Sequence, residues 1–183
     1  ITQLSTGIQY YDATFEITMF DNRFPWETIN AGKSAPIVAD MNGNGSPDIT
    51  FTDVFGGVHM ISEDDEEYQL YSHPEDQNIN RSNAMGMLGN PASLAMAFSS
   101  RSGKLYAMTT DGNILFDYDA SSPFLFTPVI ADLNGDGSNE VIAGALNGKL
   151  YVVNADGSDF PGFPVQLSGT FQSELAVGDL DND

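Results

Sequence analysis

The 183-residue sequence contains no cysteine, two histidines and only six lysine or arginine residues. The lack of cysteine excludes disulfides, thiol nucleophiles and cysteine-based zinc sites, and His59 and His73 are too few for a three-histidine metal site. No apolar run is long enough to span a bilayer, so direct membrane insertion is not expected. Against the few basic residues stand 26 acidic ones, which give a net charge of −20. Because phosphates would be repelled, nucleic acid is not expected as a partner.

The chain nevertheless has enough apolar material for a folded domain. Hydrophobic residues make up 41% of the sequence, and the 12 Phe, 7 Tyr and 1 Trp exclude a disordered acidic tail. The length suits one domain with a sizeable core. Three explanations stay open for the excess of acid at this point: a solvated surface, a halophilic adaptation, or a set of cation ligands.

A repeat of about 46 residues runs through the chain. Gly57, Gly103 and Gly148 follow one another at separations of 46 and 45 residues. Asp40 and Asp132 are 92 residues apart, which is two such periods, and each ends a similar apolar run. Because independent anchors agree on one period, we interpret the repeat as a property of the fold. The same separations connect Asp65, Asp111 and Asp156.

Each repeat predicts four short β-strands. An apolar run precedes a Gly/Asn-rich loop, a second run follows it, a third follows the repeated glycine, and a fourth follows an Asp or Asp-Gly turn. The fourth strands are expected near residues 68–72, 114–118 and 163–167. Since no stretch has sustained helical periodicity, we predict an all-β fold, a β-propeller of four-stranded antiparallel blades.

The repeat divides residues 1–183 into blade-sized pieces of a single β-propeller domain. A propeller usually requires four to eight complete blades to close its ring, so we interpret the chain as a partial propeller and expect the protein to continue past Asp183. The predicted pieces are a lead-in or the end of a preceding blade (1–33), a blade with a cation loop (34–79), a degenerate blade without one (80–125), a second blade with a cation loop (126–171) and the start of the next blade (172–183).

Two nine-residue loops, 40–48 and 132–140, have the same arrangement of oxygen-bearing side chains, and a third loop begins at Asp179. Oxygen donors occupy positions 1, 3, 5 and 9, glycine occupies position 6, and the carbonyl at position 7 would add another oxygen. Hard oxygen donors around a tight turn favour Ca²⁺ over Mg²⁺ or a soft metal. The predicted ligands are Asp40, Asn42, Asn44, Ser46 and Asp48 in the first loop, Asp132, Asn134, Asp136, Ser138 and Glu140 in the second, and Asp179, Asp181 and Asp183 in the third.

An EF-hand begins in a similar way but requires a bidentate glutamate at position 12 and flanking helices. Position 12 is Phe51 in the first loop and Ala143 in the second, and both lie in expected strands. The loops and their flanking strands instead resemble FG-GAP repeats, the calcium-binding β-propeller repeats of integrin α-subunits and of many bacterial secreted proteins. The resemblance covers about residues 34–183, and its closest stretches are Leu175-Ala176-Val177-Gly178-Asp179-Leu180-Asp181 and Glu140-Val141-Ile142-Ala143-Gly144-Ala145-Leu146.

Two departures from the family pattern qualify this resemblance. The Phe-Gly half of the signature is absent before the loops, which places the chain nearer the bacterial secreted variants (VCBS-type). At the loop register of the second repeat, residues 86–94 contain no carboxylate, so we expect no calcium there. The methionines and small residues of this run are expected to pack between blades. In the other loops the resemblance implies a calcium ion that stabilises the fold, with a ligand-bridging ion as the alternative.

Several other residues have both a structural and a functional interpretation, and the structural one is favoured in each case. The acidic run 63–67 is expected to be a solvated hairpin turn rather than a weak cation site. Trp26 is expected to pack against the first blade, with a carbohydrate platform as the alternative. His59 is interpreted as a structural strand residue, His73 as a loop residue, and residues 160–164 as a blade-connecting turn.

No nucleophile–base set, phosphate-cradling loop or pair of catalytic carboxylates stands out in the sequence. We therefore expect a non-catalytic, secreted or cell-surface, calcium-binding β-propeller that serves as an adhesion or interaction scaffold. Its expected partners are a protein or carbohydrate ligand at the cell exterior, and other subunits or the rest of the propeller. The alternatives are the propeller region of a larger extracellular hydrolase, polysaccharide lyase or peptidase, and a structural subunit of a surface filament.

Overall fold

The computed structural model of the chain describes residues 34–53, 55–62, 67–72, 79, 83–89 and 91–179, with the backbone alone for 67–72. These residues form twelve β-strands and no helix, arranged as three four-stranded antiparallel sheets. In each sheet the strands pair in the order in which they follow along the chain. The first sheet contains β1 (Ile37–Ala39), β2 (Asp48–Thr52), β3 (Gly57–Ile61) and β4 (Glu67–Ser72); the second contains β5 (Ala84–Leu88), β6 (Ser93–Ser99), β7 (Lys104–Thr109) and β8 (Ile114–Asp119); the third contains β9 (Val129–Ala131), β10 (Glu140–Gly144), β11 (Lys149–Val153) and β12 (Val165–Gln166).

The third strand of each sheet begins after a tight turn that contains a glycine at positive φ. These glycines are Gly56, Gly103 and Gly148, with φ angles of 86°, 96° and 78°. Each donates its N–H to the carbonyl three residues earlier, in a conformation that glycine adopts without a steric penalty. Gly57, the predicted anchor of the first repeat, is instead the first residue of β3. That prediction was wrong by one residue, and the turns are 47 and 45 residues apart.

The second sheet is buried on both faces because it lies between the other two. Successive residues of β6 and β7 face opposite sides, as the pleat of a strand requires. One side packs against the first sheet and the other side against the third. The core shared with the first sheet includes Val58, Met60, Met96, Phe98, Tyr106 and Met108; the core shared with the third includes Ala95, Ala97, Leu105, Val141, Ala143, Tyr151 and Val153.

Close packing of the first strands sets the spacing between the second and third sheets. β5 and β9 lie beside each other, and a Cβ added at Gly86 would lie 2.8 Å from Cγ2 of Ile130. A glycine is therefore required at this position for the two strands to approach. On the other face of the third sheet, the ring of Phe171 covers Gly144, where an added Cβ would lie 2.6 Å from the ring.

The strand predictions agree with the structure except in the second repeat. The fourth strands β4, β8 and β12 lie within two residues of their expected bounds. The methionine-rich run, expected to replace a loop, forms most of β5 and a tight turn. Leu88 is fully buried and Met85 packs against the core, as expected for a run between sheets. Met87 does not follow this expectation, since 45% of it is exposed.

His59 occupies a structural position in β3, in agreement with its predicted role. It is 5% exposed, its Nε2 lies 3.0 Å from Oδ2 of Asp53, and its ring stacks on Phe51 at 5.1 Å between centroids. Residues 160–164 form a turn, but the prediction that it connects blades was wrong, because it lies between β11 and β12 of one sheet; Phe160 and Phe163 pack edge to face there. The predictions for Trp26, His73, residues 63–66, Asp181 and Asp183 fall outside the described residues. In the described ranges, no helix of sufficient length and apolarity to cross a membrane is found.

Candidate functional site

The first loop is closed by the carboxylate at its first position. Asp40 accepts hydrogen bonds from the N–H groups of Gly43 (2.7 Å) and Gly45 (2.9 Å), one on each oxygen. Asn42 Oδ1 accepts from Asn44 N–H at 3.0 Å, and the amide oxygen at position 5 accepts from the N–H at position 7 at 2.7 Å. The oxygen-bearing side chains at positions 1, 3 and 5 are therefore held against the loop backbone, as in other Asx turns.

The second loop repeats this hydrogen-bond pattern position by position. Asp132 accepts from Gly135 N–H (2.7 Å) and Gly137 N–H (2.8 Å). Asn134 Oδ1 accepts from Asp136 N–H at 3.0 Å, and the carboxylate at position 5 accepts from the N–H at position 7 at 2.7 Å. Glycines at positions 4 and 6 of both loops have positive φ, between 72° and 91°. The glycine at position 6 was predicted from the spacing of the donors, whereas the equal requirement at position 4 was not predicted.

The carboxylate at position 9 holds the backbone of position 2 in both loops, and in the first loop this residue belongs to the packing between sheets. Asp48, fully buried, accepts the N–H of Met41 at 2.7 Å, and Glu140, 3% exposed, accepts the N–H of Leu133 at 2.9 Å. Met41 is 4% exposed and belongs to the core between the first and second sheets. Leu133 is 40% exposed. In the first loop, the carboxylate therefore fixes the backbone of a residue that inserts between sheets.

Carboxylates of the second loop repel one another. Burial raises the pKa of Glu140, the hydrogen bond from Leu133 N–H opposes this change, and the charges of Asp136 and Asp132 add to the increase. For Asp136 itself, the hydrogen bond from Ser138 N–H is the main reason that its pKa lies below the usual range. The loop thus has two carboxylates whose charges act on a third, buried one, and a bound cation would relieve this repulsion.

The structure places the five predicted ligands of each complete loop on one turn, and it describes only Asp179 of the third loop. Among the described residues, no three Asp, Glu or His side chains form a group that could hold a metal ion by themselves. The predicted set is mixed, because Asn side chains and the carbonyl at position 7 supplement the carboxylates. Hard oxygen donors of this kind fit Ca²⁺ in chemistry, and calcium binding stays a prediction.

Two acidic turns lie at the same end of the sheets as the loops. Asp111 follows β7 and Asp156 follows β11, at equivalent positions. The hydroxyl and N–H of Ser158 hold the pKa of Asp156 below its usual range. Hydrogen bonds from the side chains of Thr109 and Asn113 contribute to the same effect at Asp111, with Thr109 the larger influence. Both carboxyl groups are therefore ionised at neutral pH.

A cleft of about 480 Å³ opens beside the second loop, between the second and third sheets. Asp156 and Asp136 bring carboxylates to it from two different segments, and Leu115 of β8 contributes an apolar side chain. From the sequence, Asp156 was predicted only as part of a hairpin turn, and its place at this cleft was not predicted. Strand direction alone could have placed that turn at the end of the sheet that carries the loop. The lining residues are Gly89, Leu115, Asp136, Ser138, Asn139, Glu140, Asn154, Ala155 and Asp156.

Comparison with known proteins decides the fold. A family model described as the lambda-carrageenase beta-propeller domain matches residues 95–166, within the second and third sheets. The chain has a β-propeller fold. The three meander sheets are accordingly blades, and we refer to them as the first, second and third blade. The matched part is less than half of the chain, so the similarity concerns these residues.

Solved structures with the same fold are distant in sequence. BBS1N in complex with ARL6DN, soaked with lead, is 15% identical, with a TM-score of 0.57 over 82% of this chain and 49% of that chain. The crystal of the same complex soaked with mercury gives 14% identity and a TM-score of 0.53, over 78% and 46% of the two chains. The chain thus spans about half the length of the structures it matches. No curated protein sequence matches the chain.

Proposed function

We propose that the chain is a calcium-stabilised β-propeller of FG-GAP type that serves as an adhesion or interaction scaffold at the cell exterior. The observation that carries this proposal is the set of hydrogen bonds that the loops in the first and third blades have in common. The two loops, 92 residues apart, carry the same residue at positions 1, 3, 4, 6 and 7, an amide or a carboxylate at position 5 and a carboxylate at position 9, and both have positive φ at positions 4 and 6. A repeated turn of this kind with hard oxygen donors supports a common ligand, and Ca²⁺ suits the donors best.

Calcium would be held by the same positions in both loops. In the third blade the ligands would be Asp132, Asn134, Asp136, the carbonyl of Ser138 and Glu140; in the first blade, Asp40, Asn42, Asn44, the carbonyl of Ser46 and Asp48. The ion supplies positive charge that neutralises the repelling carboxylates. Since Asp48 also holds Met41, which belongs to the core between the first and second blades, a filled first loop would stabilise the contact between these blades. Binding energy for an ion that the unfolded chain does not hold adds to the free energy of unfolding.

The test is a thermal unfolding experiment in calcium, in magnesium and in a chelator. At calcium tenfold above the dissociation constant, each site adds about 1.4 kcal/mol to the free energy of unfolding, and the melting temperature should rise by about 2–4 °C per kcal/mol. Asp132→Ala should remove one site, whereas Asp111→Ala, in the blade without a loop, should respond to calcium like the wild type. Equal melting temperatures in calcium and chelator would contradict the proposal, and so would an equal response to magnesium.

A second candidate rests on the family match. Because the matching model is the propeller domain of a lambda-carrageenase, the chain is alternatively the non-catalytic propeller region of a larger extracellular enzyme that acts on a polysaccharide. The full-length protein should then release reducing ends from lambda-carrageenan, and in a chelator the propeller should unfold at a lower temperature than the region that carries the activity. A full-length protein without such activity, and with further repeats, would favour the scaffold.

A further inference from the structure

Four asparagines of the chain are followed directly by glycine: Asn42, Asn44, Asn134 and Asn147. In such a pair the backbone nitrogen of the glycine can attack Cγ of the asparagine, because glycine has no side chain to shield that nitrogen. The first three pairs lie in the two predicted cation loops, and Asn147 lies in the turn between β10 and β11. The same reactive pair is therefore present in two different surroundings.

In the first loop, the nitrogen of Gly45 is held against a carboxylate. Its N–H donates to Oδ2 of Asp40 at 2.9 Å. General-base assistance requires a base within hydrogen-bond reach of the proton that it takes up, and Asp40 meets this requirement. Asn44 and Gly45 are exposed, and a Cβ added at Gly45 would meet no atom beyond its chain neighbours within 4 Å. Water therefore reaches the peptide bond between these two residues.

The side-chain amide of Asn44 is also held in a defined position. Its Oδ1 accepts the N–H of Ser46 at 2.7 Å, and this Asx turn folds the side chain back over the peptide bond to Gly45. The same N–H would stabilise the negative charge that develops on Oδ1 when the backbone nitrogen adds to Cγ, as donors to an oxyanion do. A base at the nucleophile and a donor at the carbonyl oxygen thus act on one reacting pair.

Asn147 has the same Asx turn without the base. Its Oδ1 accepts the N–H two residues further along at 3.0 Å. The N–H of Gly148 donates to the backbone carbonyl of Ala145 at 3.0 Å, and a carbonyl oxygen does not take up this proton. Gly148 is buried, and Nδ2 of Asn147 donates to the hydroxyl of Tyr151 at 3.0 Å. Asn147 therefore serves as an unassisted Asn-Gly pair for comparison with Asn44.

We propose that Asn44 is a self-modifying residue that is converted to aspartate or isoaspartate with the help of Asp40. The nitrogen of Gly45 forms a bond to Cγ of Asn44 while its proton passes to Oδ2 of Asp40. The bond between Cγ and Nδ2 then breaks, and Asp40 returns the proton to the nitrogen, which leaves as ammonia. Water adds to the cyclic imide and opens it at either carbonyl. The net reaction consumes an amide and a water molecule and produces a carboxylic acid and ammonia.

Conversion to aspartate would give the first loop the residue pattern of the second. Position 5 is Asn44 in the first loop and Asp136 in the second, and both accept the N–H at position 7 at 2.7 Å. The turn therefore accommodates a carboxylate at this position, whereas isoaspartate would lengthen the backbone by a methylene group and disrupt the turn. In the calcium scaffold proposed above, the new carboxylate would add a charged ligand to the first loop; only this consequence rests on that proposed function.

The test follows each Asn-Gly pair of the 183-residue chain by peptide mass spectrometry. The chain is incubated in chelator at neutral pH, in water labelled with heavy oxygen that enters the new carboxyl group. The same chain unfolded in urea gives the intrinsic rate of each pair. Asn44 should be modified faster in the folded than in the unfolded chain, and Asn147 more slowly. A folded rate at Asn44 that does not exceed its rate in urea would overturn the proposal.

Asp40→Asn keeps a hydrogen-bond acceptor at this position and removes the base. It should slow the modification of Asn44 at least about tenfold, a modest effect beside the roughly 10²–10⁴-fold of general bases in enzymes, and bring the folded rate below the rate in urea. Asn134 of the same sample, in another blade, should keep its rate within about twofold.

Two results with Asp40→Asn would refute the role of this carboxylate. An unchanged or faster rate at Asn44 would show that it is not the base. A folded rate equal to the rate in urea would show that it only orders the loop. Because all rates are measured in chelator, whereas the calcium proposal is tested by the melting temperature of fresh protein, failure of either proposal is recognised separately.

Discussion

Asp48 separates the structural role of a loop carboxylate from its predicted role as a calcium ligand. The side chain is fully buried and its Oδ2 accepts the N–H of Met41 at 2.7 Å. Asp48→Ala removes a buried, charged acceptor and leaves that N–H without its partner, which costs about 2–3 kcal/mol. The melting temperature should fall by about 4–12 °C for a chain of this length, in chelator as well as in calcium. Asp48→Asn keeps an oxygen acceptor and should stay within about 1 kcal/mol of the wild type in chelator.

Both variants of Asp48 should lack the calcium response of the wild type. If the first loop binds Ca²⁺, the wild type gains about 1.4 kcal/mol from this site at tenfold excess over the dissociation constant. Asp48→Asn should lose most of this gain because an amide replaces a carboxylate ligand. The assay is differential scanning calorimetry with and without chelator, with Asp111→Asn as the control. The reasoning is refuted if Asp48→Asn is as unstable as Asp48→Ala in chelator, or if it responds to calcium like the wild type.

Three further predictions concern the packing and titration of the second and third blades. Gly86→Ala should cost about 1–3 kcal/mol through its clash with Ile130, and Ile130→Ala in the same chain should recover part of the loss in a double-mutant cycle measured by urea unfolding. The pKa of Glu140 is higher in the folded chain than in the unfolded chain, so the folded chain binds the proton more tightly. The free energy of unfolding should therefore fall as the pH rises above 4.5, the ordinary pKa of this carboxyl group. Glu140→Gln should reduce this fall in melting curves recorded without calcium. Tyr118→Phe should lose about 0.5–1.5 kcal/mol, since it removes the 2.7 Å hydrogen bond to Asp159 between blades; no change in the urea midpoint would contradict this.

The propeller fold and the loop positions could be predicted from the sequence because they depend on local patterns. The third strand of each blade follows a glycine turn, and the apolar runs before and after each loop form the first two strands. The error at Gly57 arose where two glycines stand together. Apolar alternation fits either register, and only the backbone shows that Gly56 adopts positive φ.

The second blade and the cleft required the structure. The run Ala84–Leu88 contains no charge, and its glycine, Gly86, is compatible with either a strand or a loop, so its hairpin could not be distinguished from a degenerate loop. The cleft depends on how neighbouring blades face each other, which no local pattern of the sequence encodes. The sequence therefore predicts that Asp156 lies in a turn, but it does not predict that Asp156 and Leu115 line the same cleft.

The position of the second blade affects the order in which the blades open. This blade has a short hairpin in place of a loop, and it has a neighbouring blade on each face. β6 and β7 contain the most deeply buried side chains and depend on no predicted ion. The first and third blades each have a loop with predicted ligands. Withdrawal of calcium should therefore lower the free energy of local unfolding in these two blades and leave that of the second blade nearly unchanged. Amide hydrogen exchange in chelator should then show a slowly exchanging centre between two faster flanks, as expected for a molecule whose ion-independent foldon lies in the middle.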